Sequence, residues 1–261
     1  MPIKLETEDG IATVTLSRPE KKNAMSLELL EALVSTCAAL EAQPGLRAVI
    51  LTGAGGVFSA GIDLAVMGQM AADPAKLSQM LATRDAEGAN AFQAPMLCWT
   101  RLPVPVIAAV EGLCFGAGLQ LALGADIRIV HPDTRLSIME AKWGLVPDMG
   151  ITATLPRLLR ADAAKVLMMT GRVMSGREAE RHGLVTELSE APRARAEALA
   201  AEIAARSPDA VAASKRLVEE AWTGGPEALA LEAQLQGALI GTPNQMEAVA
   251  ANIQKRPPRF G

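Results

Sequence analysis

Two glycine-flanked turns are the places where this chain could do chemistry. Phe58–Leu64 reads FSAGIDL and Phe115–Gln120 reads FGAGLQ. Each follows an apolar, strand-like run and precedes an apolar, helix-like run, so each can present free backbone N–H groups at a helix N-terminus. Two such donors that converge from different loops form an oxyanion hole, which stabilises negative charge on a carbonyl oxygen. Taken singly, such a turn more often reflects tight packing, so only the pair indicates a site.

Two other glycine-rich stretches resemble nucleotide-binding loops, but each lacks a required residue. GAGGVF at 53–58 ends in Phe58, where a dinucleotide loop needs Gly or Ala for close helix–strand packing. GRVMSGRE at 171–178 has Arg-Glu in place of the Lys-Ser/Thr pair of a phosphate loop. Ser175 and Glu178 have instead the spacing of a capping box. The motifs G-x-S-x-G and H-E-x-x-H are absent from the sequence.

The composition excludes several classes of protein. The 261 residues are 50% apolar and 21% charged, which suits a packed core and not a disordered chain. Aromatic residues make up 3%, with no tyrosine, so aliphatic side chains must fill the core. Twenty-five basic against 29 acidic residues give a net charge of -4, which argues against a nucleic-acid partner. The two histidines cannot alone supply a three-histidine metal site, and we expect no metal.

Compartment is predicted from cysteines and termini. The three cysteines are widely spaced, without a C-x-x-C pair, which favours a reduced, cytoplasmic environment. The N-terminus MPIKLETEDG lacks an apolar signal region, and KRPPRFG is neither a retention nor a peroxisomal signal. Leu102–Ala125 is long and apolar enough for a membrane span, but two prolines and Glu111 make spanning costly. We expect a buried strand, a turn and a buried helix there, and no membrane partner.

The first half of the chain alternates strands and helices around the two turns. Alternating or continuous apolar runs predict strands, and helical spacing of apolar residues predicts helices. The predicted strands are Ile11–Ser17, Arg47–Thr52, Pro103–Val110, Ile127–Val130 and Leu136–Ile138; the predicted helices are Ser26–Ala42, one from near Ile62 and one from about Ala117. This order predicts an α/β core with right-handed crossovers.

The last third of the chain is predicted to be mostly helical. After a short strand at Leu184–Leu188, proline residues lie at the start of three successive helical patterns, a common first-turn position. The predicted helices are Ala161–Thr170, Arg177–His182, Arg193–Ala205, Pro208–Trp222, Pro226–Ile240 and Pro243–Ile253. We therefore predict a core over 1–195 and a helical C-terminal subdomain over 196–261. Residues 71–95 form either a mobile cover for a pocket or a surface helix.

Several segments, in order along nearly the whole chain, resemble the crotonase superfamily, the enoyl-CoA hydratases and isomerases. They are RPEKKNAMS at Arg18–Ser26, FSAGIDL, PVIAAVEGLCFGAGLQLALGADIRI at Pro105–Ile129, the segment Glu140–Arg157 and SGREAERHGLV near the end of the core. The resemblance implies an α/β spiral of strand-strand-helix units. It also implies an acyl-CoA thioester as substrate with no further cofactor, and a homotrimer or dimer of trimers in which the C-terminal helices pack on neighbouring subunits.

The resemblance also assigns roles to residues around the two turns. The backbone N–H groups of Ile62 and Ala117 would hold the thioester oxygen, on which negative charge develops only as the α-proton leaves. Residues implied to contact CoA or the acyl group are Lys22, Ala24, Ala60, Asp63, Leu64, Ala65 and Lys255. A lysine beside a loop is, however, usually only a solvated surface charge.

The carboxylates implied by the resemblance depart from the hydratase pattern. A hydratase of this family uses two glutamates, and the corresponding positions here hold Gln120 and Glu140. Because Gln120 can orient water but cannot act as a base near neutral pH, we expect proton transfer rather than water addition. Asp148, in GLVPDMGIT, resembles the second carboxylate of dienoyl-CoA isomerases; the alternative is a turn or capping residue after Pro147. For Glu140 the alternative is a capping or salt-bridge residue.

Other functions stay open at this point. Within the family they are hydration, hydrolysis, dehalogenation and ring closure, all of which use the same thioester anchor. Since Gln120 replaces a glutamate, a non-catalytic acyl-CoA-binding relative is a further alternative, and a dinucleotide-dependent oxidoreductase is a distant one.

Overall fold

The computed structural model describes residues 1–222 and 224–261. The strands are β1 (Ile3–Glu8), β2 (Ile11–Leu16), β3 (Ala48–Gly53), β4 (Val106–Val110), β5 (Leu113–Phe115), β6 (Ile127–Val130), β7 (Arg135–Ser137), β8 (Met174–Ser175) and β9 (Glu187–Leu188). The helices of the first part are α1 (Leu27–Glu41), α2 (Leu64–Ala72), α3 (Pro74–Ala82), α4 (Ala94–Arg101), α5 (Ala117–Leu123) and α6 (Ile151–Thr154). The later helices are α7 (Ala161–Thr170), α8 (Gly176–Arg181), α9 (Pro192–Ala204), α10 (Pro208–Ala221), α11 (Pro226–Leu239) and α12 (Pro243–Gln254).

Two sheets form the α/β core that the sequence predicts. The larger sheet has the strand order β1-β2-β3-β4-β6-β9, in which every pair is parallel except β1 with β2. The smaller sheet has the order β5-β7-β8, with β5 parallel to β7. Strands β3 and β4 are almost wholly buried, as expected for parallel strands covered on both faces.

The predicted helices and strands need a few corrections. Strand β1 was not predicted, although the Asp9-Gly10 pair, with positive φ at both residues, is a typical hairpin signal. The short strand β5 lies where only a turn was expected. Helix α2 begins at Leu64 and not near Ile62, because the Asp63 side chain caps it by accepting from the Ala65 N–H at 3.0 Å.

Helix α9 belongs to the core. Its Ala196 and Ala200 are fully buried in a cluster with Ile50, Ile107 and Ile129 of the large sheet. The predicted boundary at residue 195 therefore falls within a helix that packs on the sheet. Small side chains on the buried face allow this close approach, and their weak apolar periodicity explains why the sequence did not reveal it.

The last two helices are largely exposed. Helix α10 contacts both α11 and α12, but α11 contains no buried residue. Large apolar side chains in this part are more than half exposed, namely Leu229, Ile240, Met246 and Ile253. An apolar surface of this kind is compatible with a neighbouring subunit, and the trimer stays a prediction. Within the described residues, no helix has both the length and the apolar character needed to cross a membrane.

A nearly buried ion pair attaches α10 to the core. The Lys215 Nζ lies 2.8 Å from the Asp126 Oδ2 and also donates to the Val104 carbonyl oxygen at 3.0 Å. The same Asp126 oxygen accepts from the Val106 N–H at 2.7 Å, at the start of β4. Burial raises the pKa of Asp126, and the Lys215 charge opposes that rise. Removing one partner would leave the other charge buried and unpaired.

We expect Lys215→Met to lower the free energy of unfolding by about 3–5 kcal/mol, because the Asp126 carboxylate loses its counter-ion. Urea denaturation followed by circular dichroism measures this loss. Arg216→Met is the matched control, since Arg216 pairs with Glu220 on the exposed face of the same helix and its loss should change little. Equal effects of the two substitutions would contradict the assignment.

Candidate active site

A cavity of about 670 Å³ opens where the two glycine turns meet. Its lining is mainly apolar and comes from the 60–65 segment, α2, α3, the start of α5 and residues 139–149. Of the predicted site residues, the cavity is lined by Ala24, Ala60, Ile62, Asp63, Leu64, Ala65, Ala117, Glu140 and Asp148. A concave, apolar site with a few polar groups is the usual form of a small-molecule site.

The amide of Ile62 is free because of how its neighbours pair. The Met25 N–H donates to the Gly61 carbonyl at 2.8 Å, and the Asp63 N–H donates to the Met25 carbonyl at 3.0 Å. Since successive amides along a strand point to opposite sides, the Ile62 N–H points away from Met25. Among the described residues it has no hydrogen-bond acceptor.

The second amide belongs to Ala117, the first residue of α5. An amide at this position has no acceptor within its own helix. The preceding Gly116 has φ +50° and donates its N–H to the Ser137 carbonyl at 2.9 Å, which ties the turn to the end of β7. The turn is therefore held by the backbone of the smaller sheet. Ala117 lines the cavity, and its N–H has no acceptor among the described residues.

The two turns are in direct contact at Gly61. A Cβ placed on Gly61 would lie 2.9 Å from the Phe115 carbonyl oxygen and 3.8 Å from the Ala117 amide nitrogen, and the φ of Gly61 is +97°. Both the close approach and the backbone conformation require glycine. The contact brings the amides of Ile62 and Ala117 to one side of the cavity, the arrangement an oxyanion hole needs.

A buried asparagine that the sequence analysis overlooked holds the first turn in place. The Asn23 Nδ2 donates to the carbonyls of Ala54 and Val57, at 2.9 and 2.6 Å, and the Ser59 Oγ donates to the Asn23 carbonyl at 2.8 Å. Asn23 is fully buried and has a positive φ of 53°. Asparagine tolerates this left-handed conformation better than most residues, so the residue type at position 23 was the sequence signal that could have indicated this turn.

An ion pair also positions the first turn. Arg18 donates to the Ala24 carbonyl and lies 3.1 Å from the Asp63 Oδ2. The Asp63 carboxylate is thus shared between Arg18 and the capped N-terminus of α2. The Ala65 N–H and Arg18 lower the pKa of Asp63. We infer that Asp63 orients the segment after Ile62 and is not itself a proton-transfer group.

Glu140 is a buried carboxyl with one satisfied and one free oxygen. It begins a 3-10 turn, Glu140–Trp143, shortly after β7. The Oε1 accepts from the Gln120 Nε2 at 2.8 Å and would lie 3.3 Å from a Cβ on Gly116. The buried Oε2 has no hydrogen-bond partner in the described part of the chain. Burial raises the pKa of Glu140, and the nearby Asp148 carboxylate raises it further.

The side chain of Gln120 lies behind Glu140 and does not line the cavity. The Gln120 Oε1 accepts from the Met149 N–H at 2.9 Å, and a backbone amide can only donate. This contact fixes which end of the side-chain amide faces Glu140, namely the nitrogen. Gln120 therefore donates to Glu140 and holds the orientation of its carboxyl group.

Asp148 lies at the exposed side of the same cavity. Helix α6 has Gly150 as its N-cap, so Asp148 does not cap that helix; its other alternative, a turn residue after Pro147, stays open. Desolvation by the neighbouring groups raises the pKa of Asp148. The cavity thus holds two carboxyl groups whose protonated forms are favoured by their surroundings.

Comparisons with known proteins agree with this geometry. A sequence model of the family described as enoyl-CoA hydratase/isomerase matches residues 6–261. The methylglutaconyl-CoA hydratase of Mus musculus mitochondria is 32% identical, over 98% of this chain and 81% of that protein. The crystal structure of an enoyl-CoA hydratase from Bacillus anthracis has a TM-score of 0.90 and 30% identity, over 100% of this chain and 99% of that one. One from Polaromonas sp. JS666 has a TM-score of 0.89 and 30% identity, over 99% of both chains.

The chain belongs to the enoyl-CoA hydratase/isomerase family, within the crotonase superfamily. Its fold is the crotonase fold, with the C-terminal helices present. It is an acyl-CoA enzyme of that family.

Three predicted site residues of this crotonase-family chain do not line the cavity. One is Gln120, described above. Lys22 is exposed and has a left-handed φ of 50°. Its carbonyl oxygen accepts from the Ala60 N–H, and the preceding residue, Lys21, lines the cavity. Lys255 is exposed at the end of α12.

Much of the apolar wall of the cavity was not predicted from the sequence. It consists of apolar side chains from three separate segments, Met67, Met70, Leu77, Leu81, Phe92, Trp143, Leu145, Val146 and Met149. Apolar residues in a helix or loop have no sequence signal that separates cavity lining from core.

The raised pKa of Glu140 predicts a pH-dependent cost to folding. The folded chain favours the protonated Glu140 carboxyl. The contribution of Glu140 to the free energy of unfolding is therefore greatest below its unfolded pKa of about 4.3 and is lost as pH rises through its higher folded pKa. Glu140→Gln cannot ionise, so we expect it to gain stability relative to wild type between acidic and neutral pH. Urea denaturation of both proteins over that range measures the difference. A difference that does not change with pH would contradict the burial of this carboxyl.

Proposed function

We propose that this crotonase-family enzyme moves a double bond in an enoyl- or dienoyl-CoA, by a 1,3-proton shift through a thioester enolate. The observation that carries the proposal is the Gln120–Glu140 contact next to the two free amides. At that contact only one of the two side chains can accept a proton. Proton removal and return needs one such group, whereas water addition in this family uses two.

The first step of the proposed reaction uses the two amides. The thioester oxygen of the acyl-CoA accepts from the N–H groups of Ile62 and Ala117. Negative charge forms on that oxygen only as the C2 proton leaves, so the fixed donors stabilise the transition state more than the substrate. Each donor contributes about 3 kcal/mol if it acts like other oxyanion-hole donors.

Glu140 is the proposed base. Its free Oε2 takes a proton from C2 of a 3-enoyl-CoA, and the C2–H electron pair forms the C1=C2 bond of the enolate as the C=O pair moves onto the thioester oxygen. When the C=O bond re-forms, the C1=C2 pair forms the C2=C3 bond and the former C3=C4 pair takes up a proton at C4. The net change is a shifted double bond, with no atom gained or lost. A raised pKa suits this exchange, because it makes the Glu140 carboxylate a stronger base towards the C2 proton. Either Glu140 itself or Asp148 returns the proton.

Hydration is the second candidate, and the names of the relatives favour it. The structural neighbours from Bacillus anthracis and Polaromonas are described as enoyl-CoA hydratases. The two reactions are separated by incubating the purified enzyme with 3-enoyl-, 2-enoyl- and 3,5-dienoyl-CoA. Fast hydration of crotonyl-CoA without isomerisation would place hydration ahead of double-bond migration as the function of this enzyme. A protein that binds these thioesters but converts none would be a non-catalytic relative.

We expect Glu140→Gln to lower kcat/KM for double-bond migration by about a hundred- to ten-thousandfold, since the variant cannot take up the C2 proton. Binding of a saturated acyl-CoA, measured by calorimetry, should stay within a few-fold. Asp148→Asn is the companion variant: a loss of similar size would make Asp148 the group that returns the proton, and near-normal turnover would leave both steps to Glu140. Retained activity in Glu140→Gln would remove that residue from the mechanism.

Gln120→Glu should raise the ratio of hydration to isomerisation. The variant places a second carboxyl at the 2.8 Å contact with Glu140, and two such groups can hold and relay the protons of a water molecule. Product analysis by chromatography measures the ratio on one enoyl-CoA. Gln120→Met, which removes the amide without adding a carboxyl, is the control and should lower both rates. An unchanged ratio in Gln120→Glu would show that position 120 does not select the reaction.

A further inference from the structure

A second cavity of about 700 Å³ lies beside the acyl cavity. It is bounded by α1, the end of α3 and the loop that leads into α4. Most of its lining is apolar, including Leu30, Val34, Met80 and Ala91, whereas its charged lining residues lie in exposed positions. The second cavity is therefore chemically suited to an alkyl chain and not to a charged group.

A thin partition separates the two cavities. In α3, Leu77 and Leu81 line the acyl cavity, whereas Met80 lines the second cavity. Phe92 lines both. The Phe92 side chain, which is only 3% exposed, is thus the wall that the two cavities share beyond the end of α3.

The backbone holds Phe92 in this position. The N–H groups of Phe92 and Gln93 both donate to the Asn90 Oδ1 at 3.0 Å. The Asn90 Nδ2 in turn donates to the Leu81 carbonyl at 3.3 Å, which ties the loop to the last turn of α3. Asn90 is itself buried. The ring of Phe92 is therefore part of a fixed wall.

We propose that Phe92 ends the acyl site and sets the longest acyl chain that this enzyme accepts. An acyl-CoA whose chain reaches Phe92 fills the first cavity, and a longer one would need the space that Phe92 closes off. Removing the ring would join the two cavities and admit long-chain acyl thioesters. This inference rests on the proposed acyl-CoA site but not on which reaction occurs there.

The test uses saturated acyl-CoA thioesters from butanoyl to hexadecanoyl, below their micelle concentrations, with affinity measured by calorimetry. In the wild type, affinity should rise with chain length up to a break and then fall. In Phe92→Ala it should continue to rise beyond that break, by about fourfold for each further buried methylene. Saturated thioesters have no double bond to move, so the measurement does not depend on the reaction.

Two further variants keep the result interpretable. Met80→Ala enlarges the second cavity without opening the partition, so its profile should match the wild type. Because truncating a buried phenylalanine destabilises the chain, Phe92→Leu is a milder second variant and should shift the break by a smaller amount. Adding Ala38→Trp to Phe92→Ala should restore the break, since Ala38 lines the second cavity from an exposed position on α1.

Three outcomes would overturn the inference. An unchanged break in both Phe92 variants would show that the ring does not limit chain length. An equal shift in Met80→Ala would assign the limit to another part of the wall. Failure of the wild type to bind any acyl-CoA would overturn both this inference and the proposed function, whereas binding without turnover would overturn the proposed reaction alone.

Discussion

Two backbone amides from different loops can hold one oxygen atom only if the loops approach closely, and in this chain that approach occurs at Gly61. A side chain there would collide with the Phe115 carbonyl, and the positive φ excludes most residues. The other constraints around the site maintain the same contact. Hydrogen bonds of the Asn23 and Ser59 side chains hold the first loop, and the hydrogen bond from the Gly116 N–H to the end of β7 holds the second. Donors held in this way need little reorganisation when charge forms on the substrate.

The electrostatic character of the site follows from what surrounds Glu140. A carboxyl oxygen buried without a partner costs folding free energy, because an ionised group loses its hydration there. The one fixed contact, from Gln120, is a neutral hydrogen bond and does not supply a counter-charge. A glutamate at position 120 would add a second carboxyl, and the two would share protons as a coupled pair. The amide instead gives Glu140 a defined orientation without a second titrating group at that contact, which favours a reaction that moves one proton.

The sequence predicted those features that depend on neighbouring residues. Ser175 caps α8 by accepting from the Glu178 N–H, as its spacing to Glu178 indicated. The two glycine turns were also predicted, together with β3 and β4, although the short strand β5 directly before the second turn was not. The exposed position of Lys22 was not predicted. Lys22 and Asn23 both have a left-handed backbone conformation, and Lys21 lines the cavity instead. Backbone conformation of this kind is not encoded by residue type alone.

Features that depend on distant contacts could not be predicted. Phe92 and Val146 lie far apart in sequence, yet both line the cavity, and nothing in their neighbours distinguishes them from core or surface residues. The predicted boundary at 195 lies inside α9 for a related reason: Ala196 and Ala200 form a buried face against the large sheet, and such small side chains give little apolar periodicity. The role of Gln120 likewise became clear only from the Met149 amide, which fixes the direction of its hydrogen bond.

The groups proposed to carry out the reaction and the side chains proposed to limit substrate size belong to different parts of the chain. The two amides and Glu140 lie on turns that follow strands, tied to the sheets by backbone hydrogen bonds. The opposite wall consists of side chains from α2, α3 and the loop after α3, where substitutions leave those backbone bonds intact. Changes in that wall can therefore alter which acyl chain fits without moving the donors or the base. One fold can in this way accept different acyl groups through individual side chains while the proposed thioester anchor stays unchanged.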